Sequence, residues 1–169
     1  MELDLNPVTR ITTGAMGPPG KRVFYLQARK GEQLITLIIE KQQVQSLATG
    51  LERFLGELSR RLPNLPESSG ELVREEMALE EPIEPMFRVG QIGMGYDEAS
   101  DRVVLVAREL PEETQEPEVV RFWCTRSQLR ALCLWGSEIA SQGRPICGNC
   151  GEPKDPEGHF CPKSNGHKD

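Results

Sequence analysis

The chain has 169 residues, a formal net charge of −6, 37% apolar residues and a mean hydropathy of −0.45. That length accommodates one well-buried domain with at most a small appendage, and no apolar run approaches the length of a membrane span. The amino-terminal residues MELDLNPVTR start acidic and contain no apolar stretch of the kind a secretory leader needs, so the expected location is the cytoplasm.

In chain order, Gly14, Gly17 and Gly20 lead into a predicted strand at 22–29, RVFYLQAR, rich in aromatic and β-branched residues. Lys30-Gly31 gives a tight connection to a second strand at 34–40, LITLIIE. A helix follows at once: Val44, Leu47, Ala48, Leu51, Leu55, Leu58 and Leu62 fall at i, i+3, i+4, i+7 spacing, and Pro63 stops the run. Residues 63–86 then hold seven Glu against one Arg, which reads as a solvated acidic linker.

The same order returns in the second half. Gly90, Gly93 and Gly95 precede a strand at 102–108, RVVLVAR, and residues 109–118 contribute five Glu and no base at a hairpin tip. The strand at 119–125, VVRFWCT, leads into a helix whose stripe is Leu129, Leu132, Cys133, Gly136, Ile139 and Ala140, ending at Gly143. This stripe is the first one shifted by 85 residues, as Leu47 to Leu132. Gly136 and Ala140 stand where the first helix has Leu51 and Leu55, so the second helix is expected to approach its sheet more closely, with Trp135 filling the space.

The expected fold is α+β: an internally duplicated βββα unit forming a pseudo-two-fold antiparallel sheet with two packed helices, plus a small C-terminal zinc-binding tail. The units are a first repeat over 1–62, the acidic linker 63–86, a second repeat over 87–143 and the tail 144–169. With about −11 of charge in the two acidic connectors, the rest of the chain is mildly basic.

Chemistry concentrates in the tail. Cys147 and Cys150 form a Cys-x-x-Cys pair, and His159 and Cys161 lie two residues apart beyond an Asp-Pro-Glu-Gly turn. Three thiolates and an imidazole suit tetrahedral zinc, and four protein ligands leave no open position for a reactive water, so the zinc is expected to be structural. His167 is the alternative fourth ligand. Five cysteines, three of them with metal-ligand spacing, fit a reducing compartment better than a disulfide framework.

Cys124 and Cys133 read as buried structural thiols. Both histidines of the chain are in the tail, which leaves no spare imidazole for a Cys-His or Ser-His-Asp mechanism. The glycines at 14, 17 and 20 precede a strand and lack the Lys-Ser/Thr of a phosphate loop. Glu40 reads as a first-turn carboxylate favourable to the helix dipole, with Asp97 the other carboxylate weighed for an unfamiliar chemistry. Phe24, Tyr25, Phe122 and Trp123, set among arginines, are the candidates for stacking on nucleic acid if they face solvent.

The segments GPPGKRVFYLQA, LIIEKQQVQSLA, FRVGQIGMGYDE and GRPICGNCGEPKDPEGHFCPKSNG occur here in that order, and together they resemble the DUF3090 family, bacterial and mainly actinobacterial. The resemblance covers nearly the whole chain. The family's tail pattern falls on Cys147, Cys150, Asp155, Pro156, Gly158, His159 and Cys161, which favours His159 over His167 as a ligand. It implies no reaction. The functional expectation is a non-enzymatic, zinc-stabilised binding or regulatory protein acting through a protein partner; the alternative is nucleic-acid binding through a basic face of the duplicated core.

Protein purified without chelator should carry close to one zinc per chain. Cys150→Ser should lose the metal and His167→Ala should keep it; the reverse result would move the ligand set.

Overall fold

Short β-branched and aromatic runs between glycine turns set the strands of this chain. The computed structural model, which describes residues 1–66, 71–113 and 115–142, joins seven of them into one mixed sheet. The elements are β1 (Glu2–Leu5), β2 (Arg10–Met16), β3 (Val23–Lys30), β4 (Gln33–Ile39), α1 (Lys41–Arg61), a 3-10 turn (Arg74–Met77), β5 (Pro85–Asp97), β6 (Arg102–Glu109), β7 (Val119–Cys124) and α2 (Arg126–Gln142). The α+β class holds, with two helices as expected.

The strand order is β1-β7-β6-β5-β4-β3-β2. Strands β2, β3 and β4 form one antiparallel meander, and β5, β6 and β7 another. The two meanders meet where β4 runs parallel to β5, and β1 runs parallel to β7. The sheet is therefore mixed, where the sequence led us to expect an antiparallel one. It also has a strand more than expected: β1 is only four residues long, too short for its Leu3 and Leu5 to register as an alternating pattern.

Only residues 6–9 separate β1 from β2, although these strands stand at opposite ends of the strand order. Val8 N donates to Trp123 O at 2.9 Å and Thr9 N to Arg29 O at 2.7 Å, so this link bonds to β7 on one side and β3 on the other. The sheet therefore curls, bringing its two end strands within the span of this short link.

Inside the curl, Leu26 pairs with Leu37 and Leu105 with Phe122, and all four are fully buried. Leu51, Leu129 and Leu132, also buried, bring both helices into the same core. The helices pack on each other through small residues. Cys133 Sγ donates to Ala48 O at 3.1 Å, and a Cβ added at Gly136 would lie 3.6 Å from Val44 Cγ1 and 3.8 Å from Ala48 Cβ and Thr13 Cγ2. Close approach of α2 to β2, expected from Gly136, is what the structure has; Trp135 Nε1 donates to Thr13 O at 2.8 Å.

Each helix starts on a glutamine. Glu40 N donates to Gln43 Oε1 at 2.7 Å, and Gln43 Nε2 donates to Val89 O at 3.0 Å. Thr125 N donates to Gln128 Oε1 at 2.8 Å, and Gln128 Nε2 donates to Val8 O at 3.1 Å. One side chain thus caps the helix and fixes it to a carbonyl of β5 for α1 and of the β1–β2 link for α2. Gly31 takes φ +60° in the β3–β4 turn, and the acidic loop between β6 and β7 sits at a hairpin tip closed by Glu109 N donating to Glu118 O at 2.8 Å.

The latter part of the acidic connector is not the solvated tether its charge led us to expect. Residues 73–84 cross the outer face of β2 and β3. Thr12 Oγ1 donates to Met77 O at 2.7 Å, Gln27 Nε2 to Glu80 O at 3.0 Å, and Glu80 N back to Gln27 Oε1 at 2.8 Å. Arg10 donates to the carbonyls of Glu76 and Ala78, and Arg29 Nε meets Glu80 Oε2 at 2.8 Å. Met77 is buried, while Glu75, Glu76 and Glu81 point outward. A glutamate count measures the outer side of such a segment and says nothing of where its backbone bonds.

Leu132→Ala should destabilise the fold by about 2–5 kcal/mol, the range for a buried leucine truncated in a packed core, read from urea unfolding. Gly90→Ala should also destabilise, because the new Cβ would lie 2.9 Å from Leu110 Cα; an unchanged midpoint there would show that the β6 hairpin end yields.

Candidate functional site

The sequence-predicted zinc ligands Cys147, Cys150, His159 and Cys161, with His167, lie outside the described residues. Among the described residues no three His, Cys, Asp or Glu side chains come together as a metal site. The two described cysteines are where a structural thiol belongs. Cys124 is fully buried and burial pushes its thiol up; Cys133, mostly buried on the helix–helix seam, is raised for the same reason with Glu52 adding to it. Thiols held protonated are poor nucleophiles.

The candidate site comes from a difference between the helices. Where α2 has Gly136 and lies on β2, α1 has the fully buried Leu51, and α1 does not close onto β5 in the same way. A cleft of about 160 Å³ opens there, lined by Gln43, Ser46 and Leu47 of α1 and Gly90, Ile92 and Met94 of β5. Its floor is apolar. Its rim is polar: Gln43 is fixed by its bond to Val89 O, and Ser46 is exposed. Gly50 on α1 makes room for Met94, whose Cε lies 3.1 Å from where a Cβ would be. Sequence reasoning missed this cleft, although the exchange of Leu51 for Gly136 was the signal that could have found it.

A second, more open groove of about 340 Å³ runs along α1 between Thr49, Glu52, Arg53, Gly56 and Arg60. On α2, the flank at Trp135 and Glu138 is occupied: Arg74 pairs with both carboxylate oxygens of Glu138, and its guanidinium carbon sits 6.0 Å from the Trp135 ring centroid.

Glu40 and Asp97 have local roles. Glu40 precedes α1 and accepts from Arg88 Nη1 at 2.5 Å; Asp97 accepts from Ser100 Oγ at 2.7 Å in the β5–β6 turn. Of the four aromatics weighed for stacking, Phe24 and Phe122 are buried in the core. Tyr25 and Trp123 are half-buried, with Trp123 Nε1 donating to Asp4 Oδ1 at 3.0 Å. Arg29, Arg121 and Arg126 are also in ion pairs, with Glu80, Glu2 and Asp101.

The most connected polar group joins the β5–β6 turn to the start of α2. Arg126 donates to both oxygens of Asp101, at 2.9 and 3.1 Å, and Tyr96 Oη donates to Asp101 Oδ1 at 2.7 Å. Asp101 holds φ +50°, a conformation that Asp and Asn tolerate better than most residues. The Arg126 guanidinium, with help from the Tyr96 hydroxyl, holds the Asp101 carboxyl below its usual range. Burial and then the bond to Asp101 push the Tyr96 phenol up to about 12. A carboxylate depressed in the folded state contributes stability that is full above its unfolded pKa of about 3.9 and lost as pH falls through the folded value. The stability gap between wild type and Asp101→Asn should therefore be present at pH 6 and shrink below about pH 4; a gap constant across that range would mean the charge is not what Arg126 reads.

With these features in place, the comparisons with known proteins are few. No curated protein and no solved structure matches the chain. Residues 3–161 match the family described as protein of unknown function, DUF3090, a match that runs from β1 to the last cysteine of the tail. The chain belongs to the DUF3090 family.

Proposed function

We propose that the chain is a duplicated unit serving as a non-enzymatic, zinc-stabilised protein-binding module, which takes a large apolar side chain of a partner protein into the cleft between α1 and β5. The duplication is supported by bonds that repeat between the halves. Gln43 reaches Val89 O as Gln128 reaches Val8 O, and the parallel pair Asp4–Arg121 answers the parallel pair Pro85–Thr36. On this reading β1 and β2 together correspond to β5, and rotation by half a turn about the axis of the curled sheet exchanges the halves. Leu26 then falls on Leu105, and Val23 on Arg102. In the tail, Cys147, Cys150, His159 and Cys161 would hold the zinc, with a structural role.

The observation that carries the binding reading is the unequal filling of the two helix–strand grooves. At β2, the indole of Trp135 lies in the groove with its Nε1 on Thr13 O. At β5, the matching helical position is Gly50, and an apolar-floored cleft remains. A cleft with an apolar floor and a few placed polar groups binds through burial of an apolar side chain. A partner that presents an aromatic or large aliphatic residue would supply what Trp135 supplies in the other half. The nucleic-acid reading draws less support, since Phe24 and Phe122 are interior and Arg29, Arg121 and Arg126 are paired.

Ser46→Trp, at an exposed position on the rim, should fill the cleft without unfolding the protein. Tagged wild type and variant, purified from the host with and without nuclease, should differ in one respect: a stoichiometric protein partner recovered by wild type and lost by the variant. Equal recovery by a cooperatively folded Ser46→Trp would remove the cleft as the site, and nuclease-sensitive recovery would favour nucleic acid.

A further inference from the structure

A glycine inside a strand costs stability unless something needs the space its missing side chain leaves. β5 carries three. Gly90 is explained by the register shift between Val89 and Gln91 and by Leu110, whose Cα would lie 2.9 Å from an added Cβ. Gly95 lies under Val104, whose Cγ1 would be 3.2 Å away. At Gly93, nothing among the described residues comes within 4 Å. Around it the outer face of the sheet presents Gln91, Val104, Val106, Arg108 and Trp123, none of them fully buried.

The first half shows what such a glycine can be for. Gly14 of β2 faces outward, and a Cβ there would come 2.6 Å from Leu79 Cγ. Leu79 belongs to the segment 73–84 that follows α1 and crosses β2 and β3, anchored through Thr12, Gln27 and Arg29. That segment reaches the sheet along the flank of α2, where Arg74 pairs with Glu138 over Trp135.

We infer that the Cys/His segment following α2, within residues 144–169, docks across the outer face of β5 and β6 at Gly93, as residues 73–84 dock across β2 and β3 at Thr12, the position that strand pairing matches to Gly93, and at the neighbouring outward Gly14. Three observations select this occupant. The strand glycine leaves room for a chain crossing the face. The flank of α1 that corresponds to the Arg74-lined flank of α2 is the open groove at Thr49, Arg53 and Gly56. And the chain is long enough: residues 73–84 begin shortly after α1 ends at Arg61, while beyond Gln142 the chain runs on to Asp169.

The contact differs from its counterpart in chemistry. Positions filled by Thr12, Tyr25 and Gln27 in the first half are Gly93, Val104 and Val106 in the second, by the shared pairing to Leu26 and Leu105. The docked segment would therefore be held by apolar contact, with Phe160 its one aromatic residue. The choice of occupant rests on the duplication proposed above; the space at Gly93 does not.

The test uses the full chain with a benzophenone-bearing amino acid in place of Gly93 and, separately, of Arg108. Irradiation followed by digestion and mass spectrometry should give, within the monomer band, a peptide of 144–169 joined to residue 93 or 108. Crosslinks only between two copies, only to another protein, or none to the tail from either position in cooperatively folding protein would overturn the inference. The two readings fail separately: halves that do not superpose in an experimental structure would end the duplication and leave a tail crosslink standing. Loss of the crosslink would leave the cleft, tested at Ser46, untouched.

Discussion

Closure of the sheet by its first ten residues is the constraint on which the rest depends. β1 and β2 stand at opposite ends of a seven-strand order, yet Leu5 and Arg10 are five residues apart in sequence. Fully extended, that link spans at most about 18 Å. In a flat sheet, six inter-strand spacings would hold the edges about 29 Å apart. The sheet cannot be flat. It must curl until the link can bond to β7 through Val8 and to β3 through Thr9, and that curl makes the interior in which Leu5, Leu26, Leu37, Leu105 and Phe122 are fully buried. Each such side chain contributes about 1.5–3 kcal/mol.

The charged contacts do a different job. Arg29–Glu80, Arg88–Glu40, Arg121–Glu2 and Arg126–Asp101 are all partly exposed, and solvent screening leaves pairs of that kind little net stabilisation. Their value is positional. Arg121 holds β1 against β7, Arg126 holds α2 to the β5–β6 turn, and Arg29 fixes the connector on the sheet. The connector shows why: an extended segment laid on a sheet offers a row of carbonyls, and Thr12, Gln27 and Arg10 on the outer face supply donors for them.

Much of this was legible in the sequence. The Val44–Leu62 stripe, the matching stripe of the second helix, the β-rich runs and the close approach at Gly136 all follow from periodicity and residue size. Four features were not legible. β1 is shorter than the window in which alternation can be recognised. The parallel pairings of β4 with β5 and β1 with β7 are long-range choices that no local pattern encodes. The docking of residues 73–84 was hidden by composition, because Glu75, Glu76 and Glu81 face solvent while Met77, Leu79, Glu80 and the backbone carbonyls make the contact. The cleft beside Gln43 was hidden for a related reason. It lies where neighbouring helix positions differ in size, Leu51 against Gly136 and Gly50 against Trp135, an effect felt across a helix–strand gap and not along the helix itself.

The fate of the acidic connector also changes what the charge pattern means. Sequence arithmetic assigned the acid to detached linkers and left a basic core free to meet an acidic partner. In the fold, Glu80 sits against Arg10 and Arg29, so part of the connector's charge is spent within the molecule. The free basic surface is smaller than the arithmetic says, and long-range attraction to a polyanion weakens with it. What remains distinctive on the described surface is apolar and local: a cleft floored by Leu47, Ile92 and Met94, and a strand face centred on a glycine with open space above it. Recognition built on such features depends on shape and on burial, neither of which is weakened by charge screening, and this is the physical ground for proposing a protein segment, rather than nucleic acid, at this surface.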